Sequence, residues 1–140
     1  MIESAKKYLH AGLSVLPAKR TDKRPAVVSW KPYQSRRPEI AEIQAWFRHP
    51  QDGLCIITGA VSGNLEMIDF DHGGELFEPW QTLVNESAPE VLSKLVIEQS
   101  QSGGRHVIYR CQKDICGNLK LAQRRIDGQL QTLIAVSYTH

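Results

Sequence analysis

The feature that most constrains this chain is Ile68-Asp69-Phe70-Asp71-His72, which reads as a β-strand carrying carboxylates at i and i+2. Strand side chains alternate faces, so Asp69 and Asp71 point the same way. Met67, Ile68 and Phe70 flank them with apolar bulk, so the strand is expected to be largely buried. Two adjacent, buried carboxylates repel each other and require compensation. A divalent ion such as Mg²⁺ or Mn²⁺ is one answer, because both prefer hard oxygen ligands. The plainer alternative is a strand ending in two solvated aspartates that cap the turn into Gly73-Gly74.

A second motif follows some thirty residues later. Ser102-Gly103-Gly104-Arg105-His106 is a Gly-rich turn leading into another strand. By itself it reads as a hairpin turn with a surface Arg and a half-buried His. Adjacent glycines also let backbone N–H groups approach a phosphate, with Arg105 and His106 as charge-assisted donors. Arg110 lies four residues beyond His106, so it shares the face of that imidazole. A metal site facing a phosphate site is what nucleotidyl transfer needs.

The 140 residues are enough for one domain with a core, and 41% hydrophobic with 23% charged argues for a globular chain. A net charge of +2 does not identify a nucleic-acid binder. The basic residues are uneven, however: Lys19, Arg20, Lys23, Arg24, Lys31, Arg36 and Arg37 crowd the first third, and Lys120, Arg124 and Arg125 sit near the end. They make either a solvated loop or a rim that tracks a phosphate backbone. Trp30 and Tyr33 lie among them and offer rings for stacking on single-stranded bases, or anchors for the loop. Three cysteines make no secreted disulfide framework, and the chain shows no signal peptide or membrane-length apolar run, so a cytoplasmic protein is expected. Cys111 and Cys116 have spacing that permits a zinc ligand pair with His72 or His49, but no second pair is evident.

Along the chain, residues 4–13 read as an amphipathic helix, 13–16 as a strand closed by Pro17, and 18–38 as a Pro-broken basic loop. Ile40, Ile43, Trp46 and Phe47 stripe a second helix as core. Residues 54–59 and 65–71 read as neighbouring strands, a hairpin by their spacing. Helical pieces follow over 75–85 and 89–95. Strands are expected over 96–99 and 106–110, paired through the glycine turn, and over 130–136. Residues 112–127 are polar and show no clear pattern. The alternation favours a mixed α/β sandwich over a doubly wound parallel sheet.

The order of motifs resembles the N-terminal domain of the bifunctional DNA primase/polymerase family, of the archaeo-eukaryotic primase superfamily found in phages, plasmids and other mobile elements. The resemblance begins at Ala5, Tyr8, Leu9, Gly12, Leu13 and Pro17. It runs through Lys23-Arg24-Pro25, Trp30, the 40–46 helix and Thr58-Gly59, and becomes specific at Ile68-Asp69-Phe70-Asp71 and Ser102-Gly103-Gly104-Arg105-His106. It implies an α+β fold, with an RNA-recognition-motif-like mixed sheet packed beside an N-terminal α/β unit. It implies catalytic Asp69, Asp71 and His106, with Asp69 and Asp71 binding Mg²⁺ or Mn²⁺. Ser102, Gly104, Arg105, His106 and Lys23 are the expected nucleotide contacts, and Arg24, Trp30 and Arg110 the nucleic-acid contacts. The implied partners are nucleoside triphosphates, a single-stranded DNA template and a fused or associated helicase/ATPase, with no membrane.

The chain departs from the family in one place. The family carries a third acidic residue on a strand after the nucleotide motif, and Ala135 stands where it is expected. The final residues resemble adapter read-through, so residues 1–134 are expected to be an incomplete catalytic domain and 135–140 a non-native tail. Three functions stay open: primer synthesis and polymerisation impaired by the missing acid, a non-catalytic nucleic-acid-binding module, and a metal-dependent phosphoesterase.

Overall fold

A computed structural model of the chain describes residues 1–112 and 119–137. The chain divides into two compact units, the first built on Met1–Asn64 and the second on Leu65–Cys111 together with the stretch 119–137. No described helix is long and apolar enough to cross a membrane.

In the first unit, α1 (Ile2–His10) buries Ala5 against Val15 and Ile43. β1 (Ser14–Ala18) pairs antiparallel with a later strand, β2 (Gly53–Ile57), and places Leu16 opposite Cys55. Between them, α2 (Ile40–Trp46) starts where the Glu39 amide donates to Glu42 Oε1 at 3.0 Å, which satisfies a helix-end donor. Ile43 is fully buried, but Ile40 is exposed and lines an open groove with Leu9 and Val61, so it is not the core residue expected. Ser14 is buried and fully bonded: its amide donates to Ser62 Oγ and its hydroxyl to the Tyr33 carbonyl, both at 2.8 Å. Glu42 receives Arg36 through two nitrogens, at 2.7 and 3.2 Å, and the Tyr33 hydroxyl as well. Arg36, above all, holds the Glu42 carboxyl down to about 2.

In the second unit, β3 (Leu65–Phe70) leads through a 3-10 turn at His72–Gly74 into α3 (Phe77–Ser87) and α4 (Pro89–Leu92). β4 (Val96–Gln99), β5 (Arg105–Arg110), β6 (Leu119–Ile126) and β7 (Gln129–Ser137) complete a five-stranded sheet in the order β4-β5-β3-β7-β6. The α+β class is as expected. The ladders, however, are all antiparallel rather than mixed. The helical connection from β3 to β4 makes those strands run the same way, but β5 inserts between them and removes any parallel contact. β2 and β3 form no hairpin, since β2 pairs with β1 in a separate two-stranded sheet. Between them Gly59, Gly63 and Asn64 all take positive φ (95°, 71° and 59°), so the chain leaves one sheet before starting the next. The unpatterned polar stretch contains β6, which closes a hairpin with β7 through Asp127 (φ 52°) and Gly128 (φ 78°). The boundary expected after Ile134 falls inside β7. Cys116 and residues 138–140 lie outside the described residues.

The sheet has two unlike faces. Ile68, Phe70, Val107 and Val136 point to the face covered by Phe77 and Trp80 of α3. Phe70 is fully buried, with its ring edge-on to Phe77 at 5.5 Å and tilted against Trp80 at 5.2 Å. The intervening residues, Asp69 among them, point to the other face.

Candidate functional site

The pairing register builds the site. Asp69 on the central strand β3 has His106 of β5 directly opposite on one side and Ala135 of β7 on the other. Glu98 of β4 lies opposite His106, and Lys120 of β6 opposite Ala135. One row of side chains thus crosses the sheet as Glu98, His106, Asp69, Ala135, Lys120. Directly opposed residues have Cβ atoms about 5 Å apart, so neighbours in the row are within reach of each other.

Two contacts in the row are formed. His106 Nε2 lies 3.4 Å from Asp69 Oδ1, and His106 Nδ1 lies 3.2 Å from Glu98 Oε1. The imidazole is therefore held between two carboxylates and meets them as ion pairs when it carries both ring protons. Asp69 and His106 are partly exposed, so the charged group expected in a buried setting instead faces accessible space. The reason is the alternation itself: Ile68 and Phe70 take the core side and leave Asp69 the open one.

Asp71 extends the ladder by one residue, its amide donating to the Leu133 carbonyl at 3.0 Å. Its backbone is extended (φ −82°, ψ −177°), so it keeps the parity of Asp69, and its side chain is exposed at the strand end. The chain then reverses through His72, Gly73 and Gly74, all at positive φ.

The glycine turn has a packing role. A Cβ on Gly104 would lie 2.4 Å from the Phe70 carbonyl oxygen, so only glycine fits between β5 and β3 there. Gly104 is buried, which gives it a packing role at this seam. Gly103 (φ 88°) and Ser102 remain at the accessible tip, where Ser102 Oγ lies 3.2 Å from Ser100 Oγ. Arg105 pairs with Phe70 and so belongs to the helix-covered face, opposite the imidazole. Its guanidinium sits 5.7 Å from the Phe77 ring centroid and donates to the Gly104 carbonyl at 3.3 Å. Consecutive strand residues cannot share a face, so Arg105 and His106 are not joint donors to one phosphate. Arg110 does share the parity of His106, roughly 13 Å along the strand at about 3.3 Å per residue.

Lys23, Arg24 and Trp30 belong to the first unit. Lys23 (φ 58°) and Arg24 lie in an exposed turn where Lys19 donates to the Arg24 carbonyl at 2.8 Å, and Trp30 is 40% exposed. Arg36 and Arg124 are already engaged: Arg124 grips Glu75 through two nitrogens, at 2.5 and 3.3 Å. Cys111 is partly buried, and its thiol is pushed up by burial first and by the Glu66 carboxylate second, which disfavours the thiolate that zinc takes.

The family model for the bifunctional DNA primase/polymerase N-terminal domain matches residues 5–136. The chain belongs to this family. No curated protein matches the sequence. Membership carries a primase/polymerase type of replicative function in general, with binding of nucleotide and DNA template, and the family is in general dependent on divalent metal ions.

The residues of this primase/polymerase domain fit one kind of metal site. Among the described residues no three His, Cys, Asp or Glu side chains are grouped to hold an ion, so there is no all-protein cage. Mg²⁺ commonly takes one or two carboxylates and completes its shell with water and substrate phosphates. Asp69 and Asp71, hard oxygen donors at alternate positions of one accessible face, suit an ion that arrives with a triphosphate.

Reasoning from sequence did not find Glu98. Its signal was present, since a hairpin expected between residues 96–99 and 106–110 already sets Glu98 close to His106 in register.

Proposed function

We propose that this domain performs template-directed nucleotidyl transfer, primer synthesis and DNA polymerisation, on the open face of the five-stranded sheet. The observation that carries the reading is the direct cross-strand pairing of Asp69 with His106, Nε2 to Oδ1 at 3.4 Å, on the sheet face opposite the one α3 covers. Asp69 and Asp71 are the residues that would hold Mg²⁺ or Mn²⁺. A divalent ion held there would supply charge neutralisation for carboxylate and triphosphate oxygens during attack by a 3′-hydroxyl.

His106 meets the triphosphate with its Nε2–H edge when the ring carries both protons, and Ser102 contacts it from the exposed turn. Arg110 extends the positive contact along β5. On the first unit, taken by itself, the exposed Lys23 and Arg24 are offered to phosphates, and the exposed Trp30 indole is a surface for base stacking. The setting, replication of a phage, plasmid or other mobile element with a helicase/ATPase alongside, rests on the family resemblance alone.

A second reading is favoured by one residue. Ala135 is the partner of Asp69 on β7 and carries no carboxylate, so synthesis by this chain is expected to be weak and a nucleotide-binding module without catalysis is the rival. Incubation with primed and unprimed single-stranded DNA, labelled deoxynucleotides and Mn²⁺ decides between them. Slow extension that disappears in Asp69→Ala supports the polymerase. Nucleotide binding without extension supports the rival, and release of nucleotide from DNA without extension supports a phosphoesterase.

A further inference from the structure

His106 has two ring nitrogens and two carboxylate neighbours, and the proposed function uses only one of each. Glu98 is the unused carboxylate. It sits on the edge strand β4, held in register by the pairing of Val96–Gln99 with β5, and its Oε1 lies 3.2 Å from His106 Nδ1. Its side chain is 55% exposed, so no core packing dictates where it points.

An ionised carboxylate only accepts hydrogen bonds, so this contact places a proton on Nδ1. The bond fixes the ring plane and leaves the Nε2 edge directed at Asp69. Once Asp69 is committed to a cation, Glu98 is the remaining hold on the imidazole. The arrangement has the form of a histidine whose second nitrogen is tied to a carboxylate, the device that orients functional imidazoles in many sites.

We propose that Glu98 is a positioning residue, orienting His106 through Nδ1–H so that Nε2, protonated when it meets a phosphate oxygen, faces the triphosphate; this rests on the nucleotide role given to His106 above.

The test reads the ring itself in metal-free protein. Long-range proton–nitrogen correlation spectra at about pH 8.5, above the ordinary histidine range, report which nitrogen carries the proton. Free imidazoles favour Nε2–H. In Asp69→Ala, where the competing carboxylate is gone, His106 is expected to be predominantly Nδ1–H. Adding Glu98→Ala is expected to return it to Nε2–H, whereas adding Glu98→Gln, whose carbonyl still accepts, keeps Nδ1–H. An Nε2–H ring in Asp69→Ala, or one that ignores the loss of Glu98, overturns the proposal. In the otherwise natural chain, Glu98→Ala is expected to weaken Mn²⁺–dATP binding about 10-fold, with Glu98→Gln close to unchanged. If His106→Ala leaves that binding intact while the tautomers behave as stated, the nucleotide role of His106 fails and the Glu98 contact stands.

Discussion

The two faces of the five-stranded sheet are made from the same strands yet obey different rules. On one face Ile68, Phe70, Val107 and Val136 close against Phe77 and Trp80, and a cation there, Arg105, lies over an aromatic ring. On the other, Glu98, His106, Asp69 and Lys120 stand in a row with Ala135 among them. Alternation over Ile68, Asp69 and Phe70 separates the two sets. The covered face supplies stability and the open face supplies chemistry, so a substitution on one should leave the property of the other nearly untouched.

The largest effect expected is on the covered face. Phe70→Ala removes a fully buried ring packed against two aromatics and should cost about 3–5 kcal/mol, read as a lower urea midpoint. Gly104→Ala tests the seam between β5 and β3. Its methyl would meet the Phe70 carbonyl, and overpacking of this kind should cost about 1–3 kcal/mol in the same measurement.

A smaller effect separates charge already committed within the fold from charge left open. Glu42, held by Arg36, titrates near 2 instead of 4.5. Because its folded value is depressed, the stability it adds is fully present above the ordinary value and is lost as pH falls toward 2. After screening by solvent the loss should be about 1 kcal/mol or less, seen as a shallower acid limb in Glu42→Gln. Smallest of all, Asp69→Ala should lower stability, read from the urea midpoint, by no more than about 0.5 kcal/mol, since Asp69 is partly exposed and lies outside the buried hydrophobic clusters. A large loss there would break the division between the faces.

Much of this was legible in the sequence. The period-two alternation at 68–71 located β3, and the shared parity of His106 and Arg110 followed from counting. The same counting separates Arg105 from His106, although their adjacency suggested a joint phosphate site. Pairing of distant strands was not legible: β2 and β3 are close in sequence, but β2 finds its partner in β1 because contacts far along the chain decide it. β6 escaped notice because an edge strand exposed over most of its length carries no apolar period, although Asp127-Gly128 announced its turn. The packing of Gly104 depends on an approach to a carbonyl that only the folded register reveals.

The central claim is that Asp69, with Asp71, holds a divalent ion and its nucleotide beside His106. Titrating Mn²⁺ and dATP into the protein while following the His106 ring resonances tests it most directly. Paramagnetic loss of those signals in the natural chain, together with its disappearance in Asp69→Ala, is the predicted result. Equal broadening in both proteins, or none in either at millimolar Mn²⁺ and nucleotide, would contradict it.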